Sequence, residues 1–144
     1  MWAATLGNPR SVAVLASTPG IRLDSVDVIS AETALMRAAR NGKAESVKIL
    51  IDHGAKVDAK NQQGMTPFLF ACATGNLDSV KAVLEGKPDI AVTDPRGRNA
   101  LDFASARTET EGKRIAEFLS SELKLKPSGT VAASPAGGDA AKGS

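Results

Sequence analysis

The sequence predicts an all-α repeat protein, a solenoid of helix–turn–helix units joined by β-hairpin-like loops. Three observations carry that prediction. Residues 33–39 (T-A-L-M-R-A-A), 66–72 (T-P-F-L-F-A-C) and 99–105 (N-A-L-D-F-A-S) begin 33 positions apart. In that register Leu35, Phe68 and Leu101 superpose, as do Ala38, Ala71 and Ala104, so one supersecondary unit is stacked rather than one irregular core built. A second apolar stripe at helical i, i+3, i+4 spacing then follows each signature: Val47, Leu50, Ile51, then Val80, Val83, Leu84, then Ile115, Phe118, Leu119. Local start and stop signals agree with both stripes. Thr33, Thr66 and Asn99 suit N-caps, Pro67 suits the first helical position, and Gly54 and Gly86 stand where a left-handed residue would end the second helix.

In chain order, residues 1–30 read as a degenerate N-terminal half repeat or cap. Ser11-Val12-Ala13-Val14-Leu15 is similar to Ser79-Val80-Lys81-Ala82-Val83-Leu84, and Thr18-Pro19-Gly20-Ile21 to Lys87-Pro88-Asp89-Ile90. Met1 to Arg10 has too little helical pattern to supply a first helix, which leaves a degenerate cap or a start inside a longer array. From Leu15 to Leu35 is 20 positions against 17 from Leu84 to Leu101, a longer linker of the kind loops tolerate cheaply. Three repeats follow at about 31–60, 61–93 and 94–125. Asn41-Gly42 and Thr74-Gly75 mark the turns within the first two, and the third carries two extra residues near 108–112. Thr108-Glu109-Thr110-Glu111 has capping-box spacing before the last helix. Residues 126–144 contain almost no large apolar side chain to offset ordering entropy and read as a disordered tail.

With its 33-residue period and a T-P-L-x-x-A pattern best kept in Thr66-Pro67-Phe68-Leu69-Phe70-Ala71, the chain resembles the ankyrin-repeat family. The stretch Ile49-Leu50-Ile51-Asp52-His53-Gly54-Ala55-Lys56-Val57-Asp58-Ala59 supplies the other half of the family pattern, and the resemblance covers roughly residues 11–125. Two departures matter. Met36, Leu69 and Asp102 replace the signature histidine, so the resemblance implies that the hydrogen bond bracing the helix start is lost in every copy. Ala31 stands where Gly64 and Gly97 supply a turn glycine, so the first hairpin is expected to differ in geometry.

Composition bounds the function classes. The chain has 144 residues, 42% of them hydrophobic, with four Phe, one Trp and no Tyr, enough for one domain with an aliphatic, Ala-rich interior. About three repeats are the minimum for a stable stack, so modest stability is expected. A net charge of +2 is too small to imply nucleic acid, although Arg96, Arg98, Arg107, Lys113 and Arg114 gather positive charge near the third copy. No apolar run approaches the length of a membrane span, and the N-terminus lacks the pattern of an export signal. The expectation is a cytoplasmic monomer without membrane partners, unless an export signal has been removed. Cys72 sits at the small-residue position of Ala39 and Ser105, the place of a buried hydrophobe rather than a nucleophile. His53 precedes Gly54, where its charge suits a helix C-terminus. Asp24, Asp27, Asp58 and Asp94 fall in linkers and favour turn geometry. No nucleophile–base set, carboxylate pair or phosphate-cradling loop is visible, so no enzyme, cofactor or metal is expected.

The family resemblance implies that hairpin tips and the exposed face of the first helices form a concave binding strip. The register then aligns Ile29 with Gln62 and Pro95, Ser30 with Gln63 and Arg96, and Glu32 with Met65 and Arg98. It also aligns Arg37 with Phe70 and Phe103, Arg40 with Ala73 and Ala106, and Asn41 with Thr74 and Arg107. Candidate partner-binding residues are Glu32, Arg37, Arg40, Asn41, Gln62, Gln63, Met65, Phe70, Thr74, Arg96, Arg98 and Arg107. Polarity along them runs from acidic Glu32 to three arginines, which calls for a protein or peptide with acidic groups facing the third copy. Two other readings stand beside this one: a truncated region of a larger protein active in another domain, and a structural or protective accessory protein.

The tail reading has a direct check. Deleting residues 126–144 is expected to leave the melting temperature within about 2 °C, since a segment without apolar contacts cannot support the stack. A fall of about 10 °C would show that the tail packs.

Overall fold

The computed structural model describes residues 8–20 and 22–124. Expectations for Met1 to Gly7, for Ile21 and for the chain from Leu125 onward lie outside the described residues. Helix follows helix as α1 (Pro9–Ala16), α2 (Ala34–Arg40), α3 (Ala44–Asp52), α4 (Pro67–Thr74), α5 (Leu77–Leu84), α6 (Ala100–Ser105) and α7 (Thr110–Ser121). They form two layers. First helices α2, α4 and α6 pack in sequence, and α1, α3, α5 and α7 make the layer behind them. Among the described residues the extended linkers form no sheet, only an isolated antiparallel bridge between Thr93 and Asn99.

Side chains that can accept from free N–H groups start most of these helices. Asn8 accepts from Arg10 and Ser11 ahead of Pro9, Thr33 from Met36, Thr66 from Leu69, Asn76 from Ser79 and Asn99 from Asp102. The missing histidine costs less than the sequence suggested. Met36 Sδ accepts from the Thr33 N–H at 3.5 Å and Asp102 Oδ2 from the Asn99 N–H at 2.9 Å, so two of the three first helices keep a reciprocal cap with a different acceptor. Only α4 retains the threonine half alone.

Two stop and start signals need correction. Gly54 is left-handed after α3 (φ 93°), but after α5 that conformation falls on Lys87 (φ 55°). Gly86 is there for space instead: a Cβ would collide with Val57 and crowd Ile51 of the preceding repeat. The capping box at residues 108–111 does not form. Glu109 precedes α7 without a side-chain cap and pairs with Arg107 at 3.2 Å, while Glu111 pairs with Arg114 at 3.1 Å.

One apolar core runs through both layers. Leu35, Ala38, Phe68, Ala71, Val83, Ala104 and Leu119 have no exposed surface, and Leu50 and Leu101 almost none. Ile51, Leu84 and Phe118 pack at its margin. Val47, Val80 and Ile115 are fully buried at the head of each second-helix stripe, and each such side chain contributes about 1.5–3 kcal/mol by leaving water. Cys72 is buried as expected, and loss of solvent pushes its thiol pKa far up. α1 packs on α3 and buries Val12 and Ala16, but Val14 and Leu15 face outward.

The first hairpin does differ. Its closing bond runs from the Asp27 N–H to the Glu32 carbonyl, five residues on, whereas Asn61 reaches Met65 and Asp94 reaches Arg98 over four. The extra residue leaves Ala31 at φ 57°, in the conformation that Gly64 (73°) and Gly97 (78°) adopt in the other copies. A Cβ makes that conformation unfavourable. Ala31→Gly is therefore expected to stabilise the protein by about 0.5–1 kcal/mol in urea unfolding; a destabilised variant would mean the first tip gains more from a restricted unfolded chain than it loses in strain.

Candidate functional site

A side-chain carboxyl or amide builds each hairpin tip from within. Asp27 accepts from the N–H groups of Ile29 (2.9 Å), Ser30 (2.7 Å) and Glu32 (3.2 Å), from the Ser30 hydroxyl (2.7 Å) and from Arg37 (3.1 Å). Asn61 Oδ1 accepts from Gln63 and Met65, both at 2.9 Å. Asp94 accepts from Arg96 and Arg98 N–H groups at 2.9 Å, and its Oδ2 takes Arg98 Nε and Nη2 at 2.9 and 2.7 Å. The Ser30 N–H and hydroxyl hold the Asp27 pKa well below the ordinary carboxylate range, with Arg37 and Ile29 assisting against burial. Burial alone would raise the Asp94 pKa, but the hydrogen bonds from Arg98 and Arg96 and the Arg98 charge together hold it low. Asn61, the middle member, escaped the sequence reading although it stands 33 residues before Asp94.

Neighbouring tips are braced against each other. The Gln62 N–H donates to the Ser30 carbonyl at 3.2 Å, and Pro95 lies against Gly64 so closely that a Cβ there would approach Pro95 Cδ to 2.9 Å. Behind the tips, Asp24 accepts from the Lys56 N–H and Asp58 from the Asp89 N–H, each at 2.8 Å. These two aspartates tie consecutive linkers together rather than shaping their own turns. His53 Nδ1 lies 2.8 Å from the Ile49 carbonyl at the end of α3, with Nε2 3.2 Å from the Ser17 hydroxyl after α1.

The sequence-selected binding residues divide on this frame. Glu32 is drawn inward and only 2% exposed, its carboxylate between Arg40 (2.9 Å) and Arg37 (3.5 Å). Met65 at the aligned position is also buried, so the acidic end expected of the strip is not presented. Phe70 is buried in the core, while Phe103 is half-buried under the Arg98 guanidinium, 4.6 Å from its ring. Thr74 Oγ1 donates to the Arg40 carbonyl of the preceding repeat at 2.6 Å, with the Phe70 carbonyl at 2.8 Å. Arg107 donates to the Ala73 carbonyl at 3.0 Å across the next interface and lies against Gly75. Thr74 and Arg107 are thus committed to holding repeats together, and Asn41 bonds its own helix through the Arg37 carbonyl at 2.7 Å.

What remains outward on the tips is Gln62, Gln63 and Arg96, with Arg37 and Arg40 alongside. Arg96 has no ion pair among the described residues, whereas Arg37, Arg40 and Arg98 all have one. The most exposed apolar group on the tips is Val26 (51%), Val28 (96%) and Ile29 (83%) of the first one, of which only Ile29 was legible in the register and none was among the candidate binding residues. A usable signal was present at two of them, since Asn61 and Asp94 stand in register with Val28, and Gln62 and Pro95 with Ile29. On the second helices, Lys48 pairs with Glu85 at 3.8 Å and Lys81 lies 5.7 Å from the Phe118 ring centre, away from the tips. No three His, Cys, Asp or Glu side chains gather as a metal site among the described residues, and no described helix is long and apolar enough to cross a membrane.

Paired helices in two layers, spliced by side-chain bonds at a fixed register, define a repeat solenoid. A model of ankyrin repeats in three copies matches residues 1–94 and 35–127, and the chain belongs to the ankyrin-repeat family, whose repeats are non-catalytic protein-interaction modules. It is 31% identical over 100 residues to the inactive serine/threonine-protein kinase TEX14 of Bos taurus, covering 69% of this chain and 7% of that protein. It is 32% identical over 105 residues to a probable E3 ubiquitin-protein ligase, XBOS31 of Oryza sativa subsp. japonica, covering 72% and 23%. Ankyrin repeat domain-containing protein 63 of Mus musculus is 30% identical over 64 residues, 44% of this chain and 16% of that one. The chain therefore spans less than a quarter of the length of each of these relatives.

The tip carboxylates set a pH dependence. Asp94→Asn keeps an acceptor of the kind Asn61 provides but removes the charge, and is expected to lower the melting temperature by about 5 °C at pH 7. Because the folded Asp94 pKa is depressed, its charge stabilises above the unfolded value of about 3.9, and the advantage is lost as pH falls below it. The gap between parent and variant should therefore narrow below about pH 4 in thermal scans; a constant gap would assign the loss to geometry.

Proposed function

We propose that this chain is a non-catalytic module that binds one protein or peptide partner across its hairpin tips and the adjoining face of the first helices. The observation that carries this reading is the braced row of tips presenting Val28, Ile29, Gln62, Gln63 and Arg96 outward, while the aligned apolar columns of the register, Leu35, Phe68, Leu101 and Ala38, Ala71, Ala104, are buried behind it. Helices pack roughly 8–10 Å apart, so three repeats offer a strip on the order of 30 Å long, enough for about 800 Å² on one partner. A rigid row also limits the entropy lost on binding. Arg96, without an ion pair among the described residues, favours a partner with an acidic group facing the third repeat, and the stack acts as a monomer.

A second reading is favoured by one observation. The chain matches only 7% and 23% of the first two relatives, so the module can serve a larger protein whose activity lies in another domain.

Arg96→Glu is expected to weaken capture of the native partner by about tenfold and to reduce the salt dependence of binding, without changing the melting temperature. Lys81→Glu, on the second-helix face, should leave capture unchanged. Affinity capture with quantitative mass spectrometry measures both; equal losses would indicate non-specific attraction, and no loss from Arg96→Glu would remove the third tip from the site.

A further inference from the structure

We propose that the first and third tips form two ends of one peptide register, selecting an extended segment that carries a large apolar side chain and a single carboxylate five or six residues away. This rests on the tip surface proposed above and names the chemistry of its ligand. Val28 and Ile29 are 96% and 83% exposed, a cost in water unless something covers them. Their exposure does not come from a loose loop. Asp27 between Val26 and Val28 collects the N–H groups of Ile29, Ser30 and Glu32, so the apolar group is held in place before any ligand arrives.

At the other end Arg96 is the tip arginine without an ion pair among the described residues, since Arg98 is forked onto Asp94 and Arg37 and Arg40 onto Asp27 and Glu32. One free guanidinium matches one carboxylate rather than an acidic run. Between the two ends, the exposed Gln62 and Gln63 amides offer donors and acceptors to a passing main chain. The braces Gln62–Ser30 and Gly64–Pro95 hold the spacing. Two repeat steps of about 8–10 Å separate the ends by about 16–20 Å, which an extended chain at about 3.3 Å per residue crosses in five or six residues.

A second copy of this chain is a poor occupant. Asp27, Glu32 and Asp94 are all bonded internally, so the tips show Arg96 no free carboxylate. Three aliphatic side chains also fall well short of the roughly 800 Å² per partner of a stable interface.

Fluorescently labelled synthetic peptides test this with the full chain. Each carries one Leu in a neutral Ser/Gln background and one Glu placed three, five, six or nine residues away, on either side. Anisotropy titration should give the tightest binding at five or six residues, at least about tenfold over the other spacings. Val28→Ser with Ile29→Ser should abolish that preference, and Arg96→Glu should transfer it to the matching Lys peptide. Binding independent of spacing, no saturable binding up to about 1 mM, or self-association removed by Val28→Ser would each overturn the proposal. If native-partner capture still depends on Arg96 while the peptides show no register, the peptide assignment fails and the interaction surface stands.

Discussion

No single helix pair of this protein can bury its own apolar face, and everything else in the structure follows from that constraint. Leu35, Phe68 and Leu101 stand in one column and Ala38, Ala71 and Ala104 in another, all almost completely removed from water. The alanines let first helices approach closely, and the larger side chains fill the space between layers. Apolar burial of this kind is non-directional and would tolerate sliding or rotation of one repeat on the next. Polar bonds remove that freedom. Thr74 and Arg107 reach back to carbonyls of the preceding first helix, and Asp24 and Asp58 reach forward to the next linker.

The tips inherit their order from this splicing. A two-residue contact between neighbouring hairpins would be weak alone, but each hairpin is already closed around Asp27, Asn61 or Asp94. The two aspartates among them also consume the charges around them. Of the tip and first-helix arginines, Arg37 and Arg98 are engaged by tip carboxylates and Arg40 by the buried Glu32, so electrostatic recognition narrows to Arg96. Apolar recognition narrows in the same way, because among the three tips only the first carries strongly exposed aliphatic side chains among the described residues. Stability and binding are therefore separable on this surface: the residues that hold the tips point inward, and those that remain available contribute little to the fold.

Sequence and structure agree best where a residue type has one physical use at its position. A 33-residue apolar register has few explanations besides stacking, and Thr33, Thr66 and Asn99 cap helices as short polar side chains before an apolar stripe do. Agreement is poorer for residues with several uses. Gly86 serves close packing rather than a left-handed turn, Glu109 and Glu111 serve arginines rather than a cap, and Met36 and Asp102 do part of the work of an absent histidine. Glu32, Thr74 and Arg107 were legible as polar residues near the tips, but not as residues whose partners lie about eight to 34 positions away.

By itself the sequence determined the all-α repeat class, the register, the helix starts and most of the buried apolar residues, because periodic burial and capping are local patterns written in residue order. The tertiary structure decided which polar side chains are spent on holding repeats together and which are left over. That division depends on distances between chain segments a whole repeat apart, and residue order alone carries no such distances. Glu32 turned inward, and Arg96 left without an ion pair among the described residues, are two outcomes of that one fact.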